Sequence, residues 1–137
     1  MNYTSIEQSK KLLELGLSVK TADMVYLKYA DSDNPAPRFD GCAPIILMDI
    51  PIDEIDCETL PCWSLGALLE MIPDKIEYVG SECDLSLAKD WISYEGYGTY
   101  DASYTVQPMI FKDKPLVDLL FESIIWLLEN GYIKKEE

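Results

Sequence analysis

Residues 115–130 limit what this chain can fold into more than any other stretch. At 100° per residue, Leu116, Val117, Leu120, Phe121, Ile124, Ile125, Leu127 and Leu128 fill an arc of about half a helix circumference. Asp118, Glu122 and Glu129 lie opposite. A helix this apolar must pack on a second layer, because each large side chain left in water forfeits about 1.5–3 kcal/mol. Leu119 and Trp126 form a further apolar stripe beside the acids. Either another element of the chain covers that stripe or a second copy does, so these two residues are the candidates for self-association. Pro115 suits the first helical position, with Asp113 or Lys114 as cap, and Gly131 suits a left-handed stop.

Two more helices are predicted. Over 5–15, Ile6, Ser9, Leu12 and Leu13 share a face, and Gly16 ends the element. Thr4 with Glu7, or Ser5 with Gln8, can form a capping box at its start. Over 64–72, Leu65, Leu68, Leu69 and Ile72 keep helical spacing behind a Ser64 cap, and Pro73 ends the run. Strand-like segments fall near 25–29, 45–50, 76–79, 84–88, 91–95 and 105–111. The run Ile45-Ile46-Leu47-Met48 reads as a buried strand between prolines. Lys89-Asp90 reads as a hairpin turn, and Pro108 marks an edge or a bulge. The whole predicts a single α+β domain over 1–137, its helices on a mainly antiparallel sheet and the last helix central to the core.

Charge bounds the function. The 137 residues hold 25 acidic and 11 basic side chains and no histidine, a formal charge of -14. Of this, -13 comes from residues 31–101. A histidine triad, metal site or pH switch is thereby excluded within the chain. An acidic surface repels phosphate backbones, so direct nucleic-acid binding is not expected. No run is long and apolar enough for a membrane span, and the first residues do not read as a secretory signal, so a cytoplasmic protein is expected. Cys42, Cys57, Cys62 and Cys83 then stay free thiols, although oxidation would allow three pairings.

Motifs for chemistry are sparse. Asp31-Ser32-Asp33 starts like a calcium loop, but Pro35 and Ala36 occupy positions that need a ligand and a glycine. Cys57 and Cys62 are poorly spaced for zinc. No metal or other cofactor is expected, and catalysis is the less favoured reading. Cys42, Cys57 and Cys83 lie in acidic stretches, which oppose thiolate formation. Binding is favoured instead. Trp91, Tyr94, Tyr97 and Tyr100 cluster around glycines, and aromatic residues with polar tips suit interaction surfaces. Asp53, Glu54 and Asp56 form a second, acidic candidate.

Three blocks carry a resemblance: residues 5–17 (SIEQSKKLLELGL), 60–70 (LPCWSLGALLE) and 126–133 (WLLENGYI). Together they resemble a group of small uncharacterised proteins of gut anaerobic bacteria, associated with prophages or other mobile elements and without an assigned activity. The resemblance covers about a quarter of the chain. It implies a small intracellular accessory protein and carries over no functional residue. The resulting expectation is a non-enzymatic acidic module that engages a basic protein partner, one form of which is mimicry of nucleic-acid charge. The alternative is a small-ligand or metal-dependent enzyme using carboxylates of residues 49–58.

Overall fold

The structure is a computed structural model and describes residues 2–28, 39, 43–48, 58–97 and 105–136. It is an α+β fold. Its contacts gather into two compact units, residues 1–67 with 134–137, and residues 68–133.

The first unit opens with helix α1, Ile6–Glu14. Of the two capping boxes the sequence allows, Ser5 and Gln8 form the real one. The Gln8 N–H donates to Ser5 Oγ at 3.1 Å and the Ser5 N–H donates to Gln8 Oε1 at 3.0 Å. Gly16, at φ 94°, stops the helix, and the Gly16 and Leu17 N–H groups donate to the Leu13 and Leu12 carbonyls. A single 3-10 turn follows at Val19–Thr21. Strands β1 (Met24–Leu27), β2 (Ile45–Ile46) and β3 (Thr59–Cys62) form an antiparallel sheet in the order β2-β1-β3.

Two findings here differ from the expectation. The segment before Trp63, outside every expected strand, is a strand. Pro61 obscured it, yet β3 is an edge strand of its sheet, where a missing N–H is tolerated. The run at 45–48 is not buried. Ile45 and Ile46 are 48% and 68% exposed, and only Leu47 is covered. Two residues at a sheet edge expose both of their faces.

Thr4 is not a cap but a buried hub. Its Oγ1 hydrogen-bonds Ser9 Oγ at 2.8 Å and accepts the Trp63 N–H at 3.0 Å. Its carbonyl accepts the Tyr26 hydroxyl at 2.8 Å and the Cys62 thiol at 3.4 Å. Helix α2, Leu65–Met71, begins at Ser64, whose Oγ accepts the Ala67 N–H at 3.2 Å. Asp23 holds that cap, accepting from both the Ser64 N–H and its hydroxyl.

The second unit is an antiparallel meander, β4 (Lys75–Tyr78), β5 (Ser81–Ala88), β6 (Trp91–Tyr97) and β7 (Thr105–Lys112), in that order across the sheet. Helix α3, Leu116–Glu129, packs on β6 and β7. Val117, Leu119, Leu120, Ile124, Leu127 and Leu128 are all buried. Pro115 is the cap residue itself and supplies no side-chain bond, so neither Asp113 nor Lys114 caps this helix. The Gly131 and Tyr132 N–H groups close the far end on the Leu128 and Leu127 carbonyls. Tyr94 and Met109 are partners across the ladder, as are Gly96 and Val106. Gln107 and Pro108 therefore oppose Glu95 alone, the bulge that Pro108 signalled.

Candidate functional site

Alternation along the meander splits its side chains between two faces. Ile76, Cys83, Leu85, Ile92, Tyr94 and Met109 share the face that α3 covers. The other face carries Lys75, Glu77, Glu82, Asp84, Glu95 and Tyr97, with Gln107 on β7, and every one of these is exposed. Register brings like charges together there. Glu77 lies opposite Glu82, and Asp84 lies opposite Glu95.

Few cations answer these acids. Lys75 Nζ is 2.9 Å from Glu82 Oε1 and 3.6 Å from Asp84 Oδ1. The hydrogen bond to Glu82, then the charges of Glu82 and Asp84, hold its ammonium above the usual lysine range. Glu95 is fixed by neutral donors instead. Gln107 Nε2 donates to its Oε1 at 2.5 Å, and the fully buried Ser93 hydroxyl donates to the same oxygen at 3.4 Å. The Trp91 indole N–H donates to Ser93 Oγ at 3.0 Å. The Tyr97 ring is 68% exposed beside an open cleft lined by Asp84, Ser86, Glu95 and Thr105. Such a surface can hold cationic groups by charge and by contact with an aromatic face.

The predicted binding residues divide. Trp91 and Tyr97 lie on this face, Trp91 half-buried with the Lys112 ammonium 5.9 Å from its ring centroid. Tyr94 does not. It is fully buried on the helix side, and its hydroxyl donates to the Pro73 carbonyl at 2.6 Å. It is one position out of phase with Trp91 and Tyr97, so it cannot share their face. Tyr100, Asp53, Glu54 and Asp56 lie outside the described residues. Leu119 is fully buried, and Trp126 stacks between Tyr94 and Tyr132 at centroid distances of 6.4 and 5.5 Å. The chain covers Leu119 completely and Trp126 in part. Sequence reasoning missed Glu77, Glu82, Asp84 and Glu95 as a group, although Glu82, Asp84 and Ser86 alternate with Cys83, Leu85 and Leu87.

Nucleophilic chemistry finds no support at the described thiols. Burial pushes the Cys62 and Cys83 thiols up, away from thiolate, and the Asp84 charge adds to this at Cys83. Among the described residues, no group of three or more acids or cysteines is arranged to hold a metal ion. No described helix is long and apolar enough to cross a membrane. No protein-family model matches the chain, and neither a curated protein nor a solved structure matches it.

Proposed function

We propose that this protein is a non-enzymatic binding module whose acidic sheet face engages a basic partner protein in the cytoplasm. The carrying observation is the register of β4, β5 and β6, which puts Glu77, Glu82, Asp84 and Glu95 on one exposed face, with Lys75 among them and Lys112 beside Trp91 at the far end of that face. Such a face attracts a basic surface over several ångströms and steers encounter. Mimicry of nucleic-acid charge toward a DNA-binding protein is one form of this role, and it suits the mobile-element setting that the resemblance implies. Buried free thiols at Cys62 and Cys83 accord with a reducing compartment.

A lysine-rich peptide titrated into the full chain at low and high salt tests the reading. Binding at low salt weakens by about tenfold or more at high salt, as expected for exposed charges. The combined Glu82→Gln and Asp84→Asn variant binds more weakly at low salt. Affinity indifferent to both salt and these substitutions refutes the role.

A further inference from the structure

We infer that the occupant of this face is an extended basic segment of the partner whose bulky apolar side chains are gathered at one end. The inference rests on the reading of the face as a site for a basic partner, and adds the form of the ligand.

The face changes character along its strands. At one end Glu77–Glu82 and Asp84–Glu95 are cross-strand pairs of like charge, next to the exposed Tyr97 ring. Like charges directly opposite one another weaken a sheet, so an arriving cation relieves a cost already present in the fold. At the other end Ala88 pairs with Trp91, and Ser93 pairs with Ile110. Ile110 is 37% exposed although apolar, and Ala88 is exposed. The Trp91 N–H is already satisfied by Ser93, and the exposed Lys112 ammonium lies 5.9 Å from its ring centroid, so this end repels basic side chains and leaves Ile110 and Ala88 to an apolar segment.

From Glu82 to Ala88 the face runs about 20 Å along β5 at ~3.4 Å per residue, the reach of about six extended residues. A uniformly polar basic segment meets the acidic end and leaves Ile110 and Ala88 in water. A segment with arginine or lysine at one end and leucine-like residues at the other meets both ends. Charge complementarity sets its direction on the sheet.

Two synthetic peptides of identical lysine, arginine and leucine content test this on the full chain by calorimetry. In one the leucines are grouped at one end; in the other they are interspersed. The grouped peptide binds about tenfold tighter, as burial of a few methylene groups would give. Ile110→Ser, at an exposed position, removes that preference. Ser86→Leu, which lengthens the apolar end, increases the preference. Equal binding of the two peptides, or a preference that survives Ile110→Ser, overturns the inference while leaving the basic-partner reading standing. Failure of both peptides to bind at low salt overturns the basic-partner reading and the inference with it.

Discussion

Gly96 lies directly opposite Cys83 across the β5–β6 ladder, and the two strands leave no room there for a side chain. A β-carbon at Gly96 would overlap the Glu82 carbonyl and come within 3.1 Å of Cys83 Sγ. The obstruction is sheet backbone, so it cannot be relieved by a rotamer change. Gly96→Ala is expected to destabilise the protein by about 2–3 kcal/mol, the upper range for overpacking. Chemical denaturation of the two proteins measures it. A change below about 0.5 kcal/mol would mean that the pairing at this position is wrong.

The hairpin joining β4 and β5 offers the opposite experiment. Its two-residue loop, Val79-Gly80, has positive φ at both positions, 49° and 79°. Glycine takes that conformation freely, whereas β-branched Val79 takes it at a cost and gains little, being 85% exposed. Val79→Asn should raise stability by about 1 kcal/mol. A thermal melt would show a midpoint several degrees higher. An unchanged or lower midpoint would count against a left-handed residue here.

Helices were legible in the sequence because their signals are local. The Ser5–Gln8 box and Gly16 and Gly131 as stops can each be read within a few residues. The meander was legible in outline, since Lys89-Asp90 and Pro108 mark its turn and its bulge. Partners distant in sequence were not. Asp23 reaches Ser64 to hold the start of α2, and Thr4 reaches Tyr26, Cys62 and Trp63. The binding face shows the same division. Parity alone separates Trp91 and Tyr97 from Tyr94, but stacking Asp84 on Glu95 depends on the register between strands.

Thr4 concentrates these distant contacts, and its two functional groups can be told apart by substitution. Thr4→Val keeps the shape and the carbonyl but leaves the buried Trp63 N–H and Ser9 hydroxyl without that oxygen. A loss of about 1–3 kcal/mol is expected for the unsatisfied donor. Thr4→Ser keeps the oxygen and loses one methyl, worth about 1 kcal/mol. Denaturation should therefore rank wild type above Thr4→Ser and Thr4→Ser above Thr4→Val. A valine variant as stable as the serine variant would show that the hydroxyl network contributes nothing.

Alkaline pH probes the buried acids that remain protonated in the fold. Burial raises the phenol pKa of Tyr26 and Tyr94, with smaller contributions from Cys62 at Tyr26 and from Asp74 at Tyr94. Burial also raises the thiols of Cys62 and Cys83. In each case the folded state holds the proton more tightly than the unfolded chain. Their contribution is complete below the unfolded pKa values, about 8.5 for cysteine and about 10 for tyrosine, and is lost as pH rises from there toward the folded values. Stability measured by denaturant should thus begin to fall above about pH 8.5 and fall more steeply above about pH 10. Tyr94→Phe removes one of these groups along with its bond to the Pro73 carbonyl. It should lower stability at neutral pH by about 1 kcal/mol and flatten the alkaline decline. A Tyr94→Phe curve parallel to wild type above pH 10 would place Tyr94 outside the core.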